Sequence, residues 1–415
     1  MPDTGKLRTN GATRRYPAQG ARSGVPWYRR TGAWIGMGTG PGALMTGAAV
    51  TGQVGPGIAI PAVVTGCIAL YFVCVAHGLQ AWRSRKPMGA SVREIFGGRS
   101  GGPLTTTMVL AMIGWCGFYM GVGGAALSDL IGIPQVAGSC ALGMVVTGLS
   151  FLGQERWNLL TYLTAGCAIA LTVITVAAVP TDPPPAVESE PIVGFMVAFG
   201  GMISYAVVFA MRVPDFTVDI NRQSGVWIVG LTMFVPLLAL AALGVSLYAR
   251  TGLFNLADVL AGTERPQAGQ LFLTLSTIAP SVTAVYSGAI SIESLARVPH
   301  RVAMAGVAAC ATVLGATRFD QSLIGFLEVL GAVIPPALVV MLLTPRLARA
   351  PRSPHALLAW WSGAAAALAL HGVSSFAGSI TGCFVAGAWL WLAGRLTPRK
   401  ATAYAQSGGA GAGLT

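Results

Sequence analysis

An all-α polytopic membrane protein with about twelve transmembrane helices is what this 415-residue chain predicts. Three observations carry the prediction. Hydrophobic residues make up 54% and charged ones only 10%, with a mean hydropathy of +0.67; a water-facing globular surface needs roughly 25% charge. The apolar residues gather into segments close to the roughly 20 residues that carry a helix across a bilayer core. When those segments are threaded back and forth, 23 of the 26 Lys and Arg residues fall on one side.

In chain order, residues 1–30 are polar, hold seven basic residues between Lys6 and Arg30, and contain no apolar stretch of the kind a cleavable leader carries. They read as a disordered basic tail. Spans are predicted at 31–50 and 57–80, followed by a loop with Arg83, Arg85, Lys86, Arg93 and Arg99. Spans three to five cover 104–128, 136–153 and 158–180. The acidic, proline-rich segment Asp182–Glu190 then carries neither Lys nor Arg, as a loop on the opposite side should. Spans six to ten cover 192–211, 226–248, 268–290, 302–317 and 322–344, and a last pair covers 356–371 and 374–394. A Gly- and Ala-rich segment at 397–415 reads as a flexible tail.

The basic excess is a positive-inside bias, which places both termini in the cytoplasm and makes residues 31–396 one transporter-sized domain of the cytoplasmic membrane. The formal charge of +12 is thereby a topology signal, and nucleic acid is not implied as a partner; the lipid bilayer is. The seven cysteines (67, 74, 116, 140, 167, 310 and 383) all fall within spans, without a CxxC pair or a histidine cluster. They read as small, buried and inert residues, with no metal site. His77, His300, His355 and His371 are scattered without ligand spacing.

Two spans break helix rules. Span one contains Gly36-Met37-Gly38-Thr39-Gly40-Pro41-Gly42, and in a helix interior Gly costs about 1 kcal/mol and Pro about 3. Span six has a milder version in Gly200-Gly201, Ser204-Tyr205 and Pro214-Asp215. Freed backbone groups at membrane depth are tolerated where they line a cavity or are buried in protein. Interrupted helices at corresponding positions point to a transporter of a small molecule, built from two inverted five-helix repeats with helices one and six interrupted. Close helix packing through small residues is the competing reading.

Four stretches carry a resemblance: Gly114-Trp115-Cys116-Gly117, Val213-Pro214-Asp215-Phe216-Thr217, Ala284-Val285-Tyr286-Ser287-Gly288, and the run from Phe326 to Pro336 that includes Glu328. In their joint order the chain resembles the nucleobase–cation symporter family of purine and cytosine permeases, nearest the cytosine-permease branch, over roughly residues 30–345. The resemblance implies ion-driven uptake of a nucleobase or related planar heterocycle. It implies that Trp115 stacks on the substrate ring. Met112 stands where the branch has a glutamine that hydrogen-bonds the base, and Ser276 falls on the branch's asparagine. The second ring-closing aromatic falls on Ala206 or, with a slip of one residue, on Tyr205 beside Ser204. Gly38 and Gly40 of the broken helix complete the expected substrate site. Losing both amide side chains argues against the branch's usual mode of cytosine recognition.

The family's sodium ion is held by carbonyls of the broken first helix, here Gly36 and Gly40, and by a hydroxyl pair on span eight. Ala279 and Pro280 stand at the hydroxyl positions, with Ser276 and Thr277 nearby. Glu328, eight residues beyond Asp320, is a carboxyl at membrane depth and so a functional candidate. It is expected either to carry a coupled proton or to pair with a cationic part of the substrate; a protonated structural Glu is the plainer reading. The coupling ion thus stays open between sodium and proton, and no other cofactor is implied. Asp215 and Asp219 with Arg212 and Arg222 are expected to form a cytoplasmic ion-pair cluster, Glu293 to pair with Arg297, and Asp129 to cap span three. No catalytic constellation or nucleotide loop is present, which excludes an enzyme reading. A same-fold transporter of an amine or amino acid, or an exporter of a nucleoside-like metabolite, remains the alternative.

Overall fold

A computed structural model describes residues 24–98, 101–152, 157–178, 189–261, 266–296, 298–347, 353–370 and 375–396. Within the described residues, each predicted span falls mainly on helix. Span one is two helices, α1 (Thr31–Gly38) and α2 (Pro41–Val54). Gly40 between them is extended, at φ −65° and ψ 145°, as a residue preceding proline prefers, and Pro41 opens α2 where its missing N–H is no loss. After α3 (Pro56–Ser84) a short amphipathic helix, α4 (Met88–Phe96), leads into α5 (Gly102–Ile131), α6 (Gln135–Ser150) and α7 (Trp157–Ala178). The second half holds α8 (Pro191–Thr217), α9 (Gln223–Thr251), α10 (Leu256–Ala261), α11 (Pro266–Ser276), α12 (Ile278–Leu295), α13 (His300–Ala316) and α14 (Leu323–Leu343). A hairpin of α15 (Ser353–Ala369) and α16 (Ser375–Leu396) packs on α14.

The helix contacts carry the repeat. Mapping spans one to five onto six to ten exchanges the pair α2·α9 with α8·α3, the pair α1·α7 with α8·α14, and the pair α5·α6 with α12·α13. All six contacts are made. An offset of five spans reverses direction through the membrane, so the two units are inverted. One set of helices, α2, α3, α8 and α9, packs together, and a second forms around α5 with α6, α12 and α13. Helix α5 is the most buried of the long apolar helices, with 89% of its apolar window inside the protein.

Span six is not interrupted: α8 runs unbroken from Pro191 to Thr217. Its Gly-Gly pair costs only about 1 kcal/mol per residue, which packing against α2, α3 and α14 outweighs. Pro214 lies within the last turn, and Ala210, the carbonyl it cannot bond, accepts from His77 Nδ1–H at 3.1 Å instead. Span eight is the one divided, at Thr277 between α11 and α12, where Pro280 removes the bond to Ser276.

Residues 24–30, counted with the tail in the sequence, are docked. Val25 pairs with Ile220, Trp27–Arg29 form a helical turn, and Arg30 pairs with Asp219. Asp219 therefore binds the tail rather than Arg222. Glu293 pairs with His300 Nδ1 at 2.5 Å; Arg297 lies outside the described residues, as do residues 1–23, the segment 179–188 and the 397–415 tail. Cys140 and Cys310 are exposed on the outer faces of α6 and α13 rather than buried, since a lipid-facing surface accepts an apolar thiol as readily as a core does.

Candidate substrate site

On α5, Trp115, Phe118 and Tyr119 follow at i, i+3 and i+4 and share a face. Tyr205 and Phe209 do the same on α8, and Phe326 reaches across from α14. Around Trp115 the ring centroids lie at 4.9 Å (Tyr205, edge-on), 5.4 Å (Phe326), 5.6 Å (Phe209), 5.7 Å (Phe118) and 5.9 Å (Tyr119, stacked). Trp115, Phe118, Tyr119 and Tyr205 are completely buried. Gly114 makes room for Phe326, whose ring would stand 2.6 Å from a Cβ at that position.

The break in span one faces this group of rings. A Cβ on Gly40 would lie 2.9 Å from the Tyr119 hydroxyl, and one on Gly42 would lie 3.0 Å from Phe118 and 3.2 Å from Tyr205. The end of α1 and the start of α2, where Thr39 N–H and Oγ1 donate to the Ile35 carbonyl and Ala43 N–H to the Gly40 carbonyl, thus adjoin aromatic faces. Polar capacity among the rings is small and neutral. Trp115 Nε1–H is buried without a partner, and the Tyr119 and Tyr205 hydroxyls are 3.5 Å apart. A planar ligand between two rings needs centroids about 7–8 Å apart. From the 5.6 Å between Trp115 and Phe209, the rings must part by about 1.5–2.5 Å to admit one. A separate void of about 10 Å³ beside Trp34 and Thr217 holds one water at most.

The predicted site residues divide. Trp115, Tyr205 and Gly40 come together. Ser204, beside Tyr205, turns to α14, where Gly331 leaves room for its hydroxyl, and donates to the Gly200 carbonyl at 2.8 Å. Met112 is buried against Gly288 of α12, and Gly38 against the Met233 carbonyl of α9. Ser276 and Thr277 donate to their own helix, to Leu273 at 2.8 Å and Thr274 at 2.7 Å. Gly36 faces Ala279, whose Cβ would lie 3.0 Å from one on the glycine. Glu328 is half-buried; two residues past Phe326, it lies about 200° around α14 from the ring that touches Trp115. Phe118, Tyr119, Phe209 and Phe326 were not among the expected residues. The first three carry a helical-spacing signal from Trp115 and Tyr205; Phe326 carries no such spacing, although it opens the fourth stretch of the resemblance.

No protein-family model matches the chain, and no curated protein matches it. Solved structures do. Mhp1, a nucleobase-cation-symport-1 family transporter closed with bromovinylhydantoin bound, superimposes with a TM-score of 0.68 at 16% identity, over 89% of this chain and 92% of that one. The inward-facing conformation of Mhp1 gives 0.71 at 15% identity, over 89% and 90%. The chain has the LeuT-like transporter fold. A Na+-coupled sialic acid symporter shares it, with a TM-score of 0.64 at 12% identity over 90% of each chain. A manganese transporter of Eremococcus coleocola also shares it, with 0.56 at 14% identity over 89% and 94%. These neighbours are transporters and not enzymes, and what this chain shares with Mhp1 at such identity is the fold.

Proposed function

We propose that the protein is a secondary active symporter of the nucleobase–cation symporter type. In this reading it carries a neutral planar heterocycle across the cytoplasmic membrane, with both termini in the cytoplasm. One observation supports the substrate class above others: the break in span one opens onto a buried group of rings around Trp115, whose polar atoms are an indole N–H and two phenol hydroxyls. Such a pocket stacks a flat ring and bonds its edge. An amine would need a carboxylate beside it, and Glu328 lies on the far side of α14 from Phe326. The bromovinylhydantoin of Mhp1 is a ligand of the same shape class.

The coupling ion turns on Gly36. On the α12 side Gly36 faces Ala279 rather than a hydroxyl, the hydroxyl at its carbonyl is that of Thr39 at 3.4 Å, and the hydroxyls of Ser276 and Thr277 are bonded within their own helix. This arrangement weighs toward a proton, with Glu328 as its carrier.

Binding to purified protein tests the substrate class. Cytosine, uracil, purines, hydantoins, nucleosides and small amines are titrated by tryptophan fluorescence, with sodium, with potassium and across pH. A neutral ring should bind, and Trp115→Ala should abolish the signal. Binding confined to amines, or unchanged in Trp115→Ala, would overturn the assignment.

A further inference from the structure

Below the rings, toward the face that carries residues 24–30, sits a buried ion pair. Arg212 lies on α8 three residues past Phe209 and is 2% exposed. Its Nη1 donates to Ser291 Oγ at 2.8 Å and approaches Met88 Sδ at 3.4 Å. Its Nη2 donates to the Ser287 carbonyl at 2.7 Å and pairs with the Asp215 carboxylate at 3.1 Å. The Asp215 side chain, 5% exposed, accepts the Met88 N–H at 3.0 Å. That N–H is the first of α4, whose N-cap, Pro87, supplies no side-chain acceptor, so a carboxylate there also meets the positive end of the helix. One pair on α8 therefore holds α12 through its guanidinium and α4 through its carboxylate.

Its position gives the pair a task. Tyr205, Phe209 and Arg212 fall at i, i+4 and i+7 on one face of α8, about 10 Å of rise from end to end. Ala284, Ser287 and Ser291 share a face of α12 in the same way. Arg212 thus joins α8 of one helix set to α12 of the other, one turn past Phe209, whose ring lies 5.6 Å from Trp115. For sealing alone, apolar side chains would serve as well or better, since two charges taken from water bring a large desolvation penalty. A charged pair suits a contact that forms and dissolves: closed, Arg212 Nε and Asp215 Oδ2 are buried without a hydrogen-bond partner, and both become hydrated when the helices part.

We propose that Arg212 and Asp215 form the latch of the gate on this face, holding α8 to α12 and α4 while the rings are sealed and releasing into water when that side opens. The inference rests on the transporter reading, but its readouts need no substrate, so failure to find a transported ligand leaves it separately testable. Ala284→Cys, one turn deeper than Ser287 and 4% exposed, is made in the full chain without the seven native cysteines. It is labelled in proteoliposomes with a membrane-impermeant maleimide. Arg212→Met and Asp215→Asn each strand a buried partner and should raise labelling from the latch face about tenfold. The doubly apolar Arg212→Met/Asp215→Leu should lower it, because the closed seam loses its reason to hydrate. Labelling unchanged within about twofold in all of these would overturn the latch.

Should variants misfold, the cysteine-free chain bearing Ala284→Cys, with Arg212 and Asp215 intact, decides. Hydrogen exchange at the Met88 amide and labelling of the new thiol should rise together with temperature. A thiol that labels while the Met88 amide stays protected would also overturn the latch.

Discussion

Gly40→Ala places a methyl group 2.9 Å from the Tyr119 hydroxyl and 3.3 Å from two carbons of its ring. The backbone there, at φ −65° and ψ 145°, suits any residue, so the whole effect is steric. Ordinary contact requires the Tyr119 ring to withdraw by about 0.5 Å. It has little freedom to do so, being fully buried, stacked on Trp115 at 5.9 Å, and 3.5 Å from the Tyr205 hydroxyl. Overpacking of this kind costs about 1–3 kcal/mol. If the strain falls on the ring chamber, ligand affinity drops about 5- to 150-fold. Fluorescence titration of the ring ligand, with thermal melting in parallel, measures both parts. Tyr119→Phe removes the nearest atom, so the double substitution should recover about half of the loss or more, a coupling of the size expected for residues in contact. Wild-type binding by Gly40→Ala, or losses that simply add in the double variant, would refute the placement of the break against Tyr119.

Other consequences are narrower. Gly331→Ala should lower stability by about 1–3 kcal/mol through collision with the Ser204 side chain, and Ser204→Ala should restore part of it in thermal melts. Glu328→Gln should leave ring-ligand affinity within about threefold, since the carboxyl lies about 200° from Phe326 around α14, while flattening the pH dependence of uptake. Arg30→Ala breaks a half-exposed pair with Asp219, and denaturation should register no more than about 1 kcal/mol, less at high salt.

Hydropathy made the helices legible, because in a bilayer a span must be both apolar and long enough to cross; among the described residues six helices meet both conditions. The break at Gly40-Pro41 was legible too, since proline dictates the conformation before it. Span six misled because Gly200-Gly201 and Pro214 are weak local signals, and the compensation comes from another helix, where His77 takes the Ala210 carbonyl. Within the site, Trp115 stood out as an aromatic between Gly114 and Gly117, and Tyr205 came from the resemblance, as one of two alignments. Tyr119 and Phe209 were within reach of a helical-spacing count, whereas Phe326 meets Trp115 only through the packing of α14 on α5. The Arg212–Asp215 pair could be read from its i, i+3 spacing; that it joins α12 to α4 could not, because both sets of acceptors are distant in sequence. Asp219 was expected in one cluster with Arg212, Asp215 and Arg222 and pairs instead with Arg30, a neighbour only after folding; His300 was likewise not foreseen as a partner of Glu293.

The central claim, that Trp115 and the rings around it receive a transported planar heterocycle, is tested most directly by uptake into proteoliposomes. The radiolabelled ring that binds most tightly is supplied under an imposed proton gradient and, separately, a sodium gradient. Accumulation should follow the proton gradient and vanish in Trp115→Ala protein that reconstitutes and melts as a folded protein. Equal accumulation by Trp115→Ala, or no gradient-driven uptake of any ring that binds, would contradict it.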